Sequence, residues 1–317
     1  MKINKNKIIL SGFLLGLLFF VAFKNTETKS VFAPNTNTSK DSFQILVNDY
    51  TRFKEIWGLK ETKKKEYQNA LTKLQGYTSK INGSKTVVFR NIKYFIFIAN
   101  LDSDEIRMHL YDAQNKNLSS LGAVKKQLEE KKIKPLMITN AGMFTKDYEP
   151  EGYYIEYPTR TFFALDTASN IPNANFYLMP NGVFYLDDEN IPHIYSTERF
   201  KQLKKEDINQ VRQATQSGPM LVINGNIHPA FIEGSKNKRL RSGVGLIKGN
   251  NKKVVFAITD GECNFYDFAI FFRDVFNSDN ALFLDGAISQ MYLHDLKPKE
   301  LGGSFGPMIS VSKKDRK

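Results

Sequence analysis

Lys253–Gly286 reads KVVFAITDGECNFYDFAIFFRDVFNSDNALFLDG. Lys253–Thr259 and Ala281–Leu284 are short apolar runs rich in β-branched, aromatic and aliphatic residues, the pattern of buried strands. Between them, Asn264–Phe276 spaces Phe265, Phe268, Phe272, Val275 and Phe276 as one face of a helix. Strand, helix and strand in this order predict a βαβ unit with parallel strands. Both strands end in Asp-Gly, at Asp260-Gly261 and Asp285-Gly286. Parallel strands bring those ends to one edge of the sheet, the edge at which open α/β sheets bind ligands.

Upstream, Val244–Lys248 reads as a strand joined to Lys253–Thr259 by Gly249-Asn250-Asn251-Lys252. If that loop closes a hairpin directly, Lys248 faces Lys253 and Arg241 falls opposite Asp260; a one-residue bulge shifts the pair but not the neighbourhood. Arg241, Asp260 and Asp285 are therefore expected at one rim, with Glu262 close by. Paired carboxylates suit acid/base or nucleophilic work, and a guanidinium grips a phosphate through two parallel hydrogen bonds. A lone Asp-Gly is ordinary turn chemistry; two at one edge beside an Arg make a candidate site.

The stretch before this carries further elements. Val87–Phe89, Tyr94–Ala99 and Ile106–Tyr111 read as strands, Leu118–Lys131 as a helix and Leu136–Thr139 as a strand running into Asn140-Ala141-Gly142-Met143-Phe144. This second strand–helix–strand run predicts another parallel crossover, with Asn140 at the carboxyl end of its strand. Two Asn-Gly signals predict hairpins: Asn175–Met179 with Val183–Leu186 around Pro180-Asn181-Gly182, and Met220–Ile223 with Asn226–Pro229 around Asn224-Gly225. The fold class expected is α+β or mixed α/β, with a mixed β-sheet, hairpins and at least one βαβ unit.

The N-terminal part has a different organisation. Met1–Lys7 is basic and Ile8–Phe23 is uncharged and apolar, predicting a signal peptide or a membrane anchor over residues 1–23 and an exported protein. Lys24–Lys40 is a polar linker, and residues 41–80 carry two amphipathic helices, one from Asp41 to Gly58 through Phe43, Leu46, Tyr50, Phe53 and Trp57, the other over Thr62–Gln75. Their apolar faces must pack on the following domain, residues 81–317, or on another chain; a helical spacer is the simpler expectation.

Composition narrows the chemistry. The chain has 317 residues with 41% apolar residues, a globular composition, and a single cysteine, Cys263, which excludes an internal disulfide and reads as a buried thiol. The formal charge of +12 favours anionic partners, but the lysines are scattered and no nucleic-acid motif accompanies them. His109, His193, His228 and His294 form no HExxH or HxH pair, so no zinc site is expected, and a hard cation on Asp260, Glu262 and Asp285 is not the favoured reading. No cofactor is expected.

Several blocks in consistent order carry a resemblance: NAGMF from Asn140, NFYLMPNGVFYL from Asn175, ATQSGPMLVINGNIHPAF from Ala214, RSGVG from Arg241, NFYDFA from Asn264, ALFLDGAISQMY from Ala281 and GGSFGPMISV from Gly302. Together they resemble the phosphodiester glycosidase family over about Lys85 to Val311, in its compact bacterial branch. The resemblance implies a hydrolase acting on a sugar 1-phosphodiester or phosphorylated glycan. It places Asn140, Gly142, Gln216, Ser217, Gly218, Arg241, Asp285 and Gly286 at the pocket, and Ser289 joins them as a candidate substrate contact. Ala141 and Ala287 replace glycines common in the family, and each is expected to add a methyl near the site. On this reading Asp285 is nucleophile or base, Asp260 or Glu262 the second carboxylate, and Arg241 the phosphate ligand. The alternatives are a membrane-tethered glycan- or sugar-phosphate-binding module without catalysis, and an envelope scaffold assembled through the 41–80 helices.

Overall fold

The strands of the central sheet read as unbroken apolar runs because both their faces are covered. A computed structural model describes residues 43–314 apart from 45, 49, 52–63, 160, 170, 172 and 173. The predicted signal or anchor, the linker, Asp41, Phe53, Trp57 and Gly58 lie outside the described residues. Among the described residues no helix is long and apolar enough to cross a membrane.

The elements follow in order: α1 (Lys64–Thr78), β1 (Gly83–Phe89), β2 (Ile92–Asn100), β3 (Asp104–His109), α2 (Leu121–Glu130), β4 (Pro135–Asn140), β5 (Tyr154–Glu156), β6 (Thr161–Phe163), β7 (Gly182–Leu186) and β8 (Pro192–Ser196). Then come two short helices, β9 (Gln213–Ser217), β10 (Met220–Ile223), β11 (Asn226–Ile227), β12 (Ser242–Leu246) and β13 (Lys253–Asp260). A helix starting at Phe265 and passing into a π-helical turn at Phe271–Val275 precedes β14 (Ala281–Asp285), β15 (Met291–Leu293) and β16 (Met308–Lys313). The strands form three sheets, in the orders β1-β2-β13-β12-β14-β10-β11, β15-β4-β16-β3 and β6-β5-β9-β7-β8.

Period-two alternation decides the layering. On β13, Val254, Phe256 and Ile258 enter a core shared with the two smaller sheets, while Val255 and Ala257 enter a core beneath the helices. β14 divides likewise, with Leu282 and Leu284 on the sheet side and Ala281 and Phe283 on the helix side. The helical core also takes Phe43, Val47, Tyr50 and Leu74, so the helical segment before β1 packs on this sheet. Lys253 secures it, its buried ammonium donating to the carbonyls of Ser79 (2.7 Å) and Ile81 (2.9 Å) just past α1.

The α+β class holds, but the pairing differs from the expected mixed sheet: every strand pairing among the described residues is antiparallel. β13 and β14 do run parallel, as the crossover helix requires, yet β12 lies between them and pairs antiparallel with each. β3 and β4 are parallel as well, and β16 separates them in the same way. Both expected βαβ units are therefore crossovers that step over one strand. The two hairpin signals also part company. Asn224 (φ 48°) and Gly225 (φ 79°) make the tight turn between β10 and β11. At Asn181-Gly182 there is no hairpin: Asn175–Tyr177 is a 3₁₀ turn and β7 pairs with β8 instead. Asn181 is drawn away because its side chain brackets Phe176 O (3.0 Å) and the Thr197 hydroxyl (2.5 Å).

Candidate active site

The site grows from the way β14 reaches the rim. Ser242 pairs with Asp285 and Gly243 with Phe283, so Leu284 is an extra residue in a bulge. Bulges re-aim side chains at sheet rims. Ser217 Oγ braces the bulge by donating to Leu284 O (2.8 Å). Ser242 Oγ touches Ser289 Oγ (2.9 Å), receives a bond from Asn140 Nδ2 (3.0 Å) and donates to Asp285 O (3.4 Å). Asn140 Oδ1 accepts from Gln290 N (3.3 Å), and Ser289 N donates to Gly286 O (2.9 Å) to close the turn after Asp285. Asn140, Ser217, Ser242 and Ser289 are all buried and fix the backbone around residue 285. The Asp285 carboxylate accepts the Gly286 N–H (2.6 Å). Burial pushes its pKa from 3.8 up to about 6, against the opposing pull of that N–H bond. Such a carboxylate is ionised at neutral pH and basic enough to take a proton.

Arg241 reaches the same rim on the other face. It precedes Ser242 on the strand path, and consecutive residues point to opposite sides. Its guanidinium lies 3.6 Å from the Phe265 ring centroid and 5.6 Å from that of Phe283, on the helix side. Nε donates to Cys263 O (2.6 Å) and Nη2 to Asn237 O (3.1 Å). It is 2% exposed, and burial draws its pKa down to about 10, so it stays charged. As placed, Arg241 is a buried strap on two main-chain carbonyls; it is not an open phosphate ligand. Its strand register is also one residue from that expected: Arg241 faces Thr259, exchanging bonds with its N–H and hydroxyl, because the loop before Lys253 is one residue longer than the direct closure assumed.

Asp260 pairs with Lys93 at 2.7 Å in solvent, and Glu262 is exposed. With β12 between β13 and β14, and Asp260 two residues past the partner of Ser242, strand geometry puts about 12 Å between the Cα atoms of Asp260 and Asp285. The rim thus brings Asp285, Asn140, Ser242 and Ser289 together and leaves Asp260, Glu262 and Arg241 apart from them. No three His, Cys, Asp or Glu side chains gather for a metal among the described residues.

The expected substrate contacts divide as well. Gln216 and Ser217 are neighbours on β9 and point to opposite faces. The Gln216 amide is fully engaged: Oε1 accepts from Tyr153 N (2.8 Å) and Asp166 N (3.0 Å), and Nε2 donates to Asp166 O (2.7 Å) and Thr197 Oγ1 (3.1 Å). That leaves no capacity for a sugar hydroxyl. Gly142 and Gly218 are required by packing: a Cβ on Gly142 would lie 2.1 Å from Gln216 O, and one on Gly218 2.5 Å from Asn181 Cβ. Gly286 has no such constraint, with its nearest neighbour at 3.6 Å. The Ala141 methyl is buried in the core and so adds nothing to an open pocket, whereas Ala287 is exposed two residues past Asp285. Cys263 is buried, its thiol pushed up to about 12 by burial.

With that geometry in place, the sequence model of the phosphodiester glycosidase family matches residues 134–310, which contain every element of the rim. This chain belongs to the phosphodiester glycosidase family. It is 32% identical over 218 residues to the uncharacterized protein YigE of Escherichia coli K12, covering 69% of this chain and 81% of that protein. Among solved structures, the catalytic domain of zebrafish N-acetylglucosamine-1-phosphodiester alpha-N-acetylglucosaminidase, auto-inhibited by its pro-peptide, aligns with a TM-score of 0.49 and 14% identity over 73% of this chain and 82% of that one. A hypothetical protein from Synechocystis aligns with a TM-score of 0.43 and 12% identity over 73% and 61%.

In this family member the residue that sequence reasoning passed over is Ser242, the hub of the Asp285 network. Its signal was weak: a small polar residue after Arg241 in RSGVG gains meaning only once β12 is known to lie beside β14.

Proposed function

We propose that this chain hydrolyses the glycosidic bond of a sugar 1-phosphodiester, with Asp285 driving the attack at the anomeric carbon. The observation that carries this reading is the Asp285 carboxylate, held on a bulge by buried hydroxyls and raised by burial to about 6. In the reaction Asp285 takes a proton from water, the water oxygen bonds to the anomeric carbon, and the bond from that carbon to the phosphate oxygen breaks. The phosphate departs with the bonding pair as a stabilised anion and needs no strong acid. One well-placed carboxylate is therefore enough, which suits a rim where the Asp260 carboxylate is paired with Lys93 in solvent. Asn140, Ser242 and Ser289 act as positioning residues. The cell envelope is the proposed setting, on the basic Met1–Lys7 and apolar Ile8–Phe23.

The test is release of free sugar from a panel of sugar 1-phosphodiesters, including UDP-N-acetylglucosamine. Wild-type protein should release sugar, and Asp285→Asn should lose activity by about a thousandfold or more while remaining folded. Full turnover by Asp285→Asn would remove that residue from the mechanism.

A further inference from the structure

Residues 228–241 connect β11 to β12 without helix or strand. Connections beyond about 12 residues in compact domains are commonly functional. This one is pinned beside Asp285. The Leu240 carbonyl lies 3.7 Å from the position a Cβ on Gly286 would take. Arg239 and Cys263 exchange backbone bonds of 3.1 and 2.8 Å, and Arg241 holds the Asn237 carbonyl from below. The pinned segment exposes Lys236, Lys238 and Arg239, and none of the three makes an ion pair among the described residues. The acids on the packed elements do not neutralise them: Glu233 is taken by Arg90 at 3.0 Å and Asp260 by Lys93 at 2.7 Å. Glu262, beside the Arg239–Cys263 bridge, is exposed and forms no ion pair among the described residues. Arg241 beneath them is a buried cation held by two carbonyls and the Phe265 ring, with no acid among those partners. Four cations over Lys236–Arg241 outnumber the two acids beside them that form no ion pair among the described residues, Glu262 and Asp285, and an anionic ligand relieves the repulsion among those cations.

We infer that this basic lip holds phosphate on the leaving-group side of the substrate. It rests on the reading of Asp285 as the hydrolytic carboxylate, and it narrows the substrate class to sugar 1-phosphodiesters whose aglycone carries at least one further phosphate. A pyrophosphate and a phosphodiester oligomer share that chemistry. The scissile linkage lies at Asp285, and the remaining phosphates run outward along Arg239, Lys238 and Lys236.

The experiment compares the full chain with its Lys236→Gln/Lys238→Gln/Arg239→Gln variant on three substrates. These are a sugar 1-phosphate methyl diester, UDP-N-acetylglucosamine and a sugar-capped oligo(glycerol phosphate). The variant should lose about tenfold or more in kcat/KM on the two multi-phosphate substrates and less than about twofold on the methyl diester. About 0.5 M salt should erase most of the difference. A loss confined to one multi-phosphate substrate identifies the aglycone; equal loss on all three, or no loss, overturns the inference. Calorimetry with inorganic tripolyphosphate separates the two readings. Tripolyphosphate binding weakened in the variant supports the lip even if no substrate is cleaved, and that failure then falls on the proposed reaction alone. No binding to the wild type overturns the lip. Binding to phosphatidylglycerol vesicles that survives in the variant and disappears in Ile232→Ser, at a side chain 74% exposed on the same loop, would assign this face to a lipid surface and overturn the inference.

Discussion

Asp285→Asn should stabilise the protein at neutral pH while abolishing its activity. The folded carboxyl has its pKa raised to about 6 from 3.8 because folding takes it out of water. A carboxyl whose folded pKa exceeds its unfolded one binds protons more tightly in the folded state. Its effect on folding is therefore neutral below about pH 4 and increasingly unfavourable as pH rises toward 6, after which it is constant. A shift of about two units corresponds to about 3 kcal/mol, and local relaxation lowers this, so about 1–3 kcal/mol is expected. Asparagine keeps an acceptor for the Gly286 N–H, which at 2.6 Å is the bond most at risk, and removes the charge. The assay is denaturant unfolding of both proteins between pH 4 and 8, with sugar release measured in parallel. The two midpoints should coincide near pH 4, separate through pH 5–6 in favour of the variant, and stay apart by a constant amount above pH 7. A pH-independent difference, or a variant less stable than wild type at pH 8, would refute the claim that burial raises this carboxyl. In the wild type, kcat/KM should rise with pH through about 6 as Asp285 ionises.

Three further changes probe the supports of the site. Ser242→Ala removes the 3.0 Å acceptor of the buried Asn140 amide and the hydroxyl partner of Ser289, costing about 1–3 kcal/mol by thermal melting and lowering kcat more than it raises KM. Gly142→Ala drives a methyl to 2.1 Å from Gln216 O and 2.5 Å from Thr215 Oγ1, a clash with backbone that should cost about 3 kcal/mol or more and show as a lower melting temperature or insoluble protein. Arg241→Lys keeps a charge but loses the planar contact with Phe265 and one of its carbonyl bonds. It should destabilise by about 2 kcal/mol and speed proteolysis within residues 234–239, whereas unchanged proteolysis would show that Arg241 does not strap that loop.

Much of the fold is legible along the chain. The alternation of β2, β13 and β14, the crossover helix between Lys253–Asp260 and Ala281–Asp285, and the turn at Asn224-Gly225 follow from local periods and turn chemistry. Because the crossover makes its two strands parallel, the shared edge of Asp260 and Asp285 was readable too, and the family blocks were visible in order. Tertiary structure decided what lies between those strands. β12 and β16 insert into the two crossovers through pairings that no local period encodes, and the insertion of β12 separates the Cα atoms of Asp260 and Asp285 by about 12 Å. The bulge at Leu284 gives Asp285 the face of Ser242, and the pleat sends Arg241 to the other. The basic character of the Asp285 carboxyl belongs to tertiary structure as well: it comes from desolvation, which depends on everything packed around a residue and not on its neighbours in sequence.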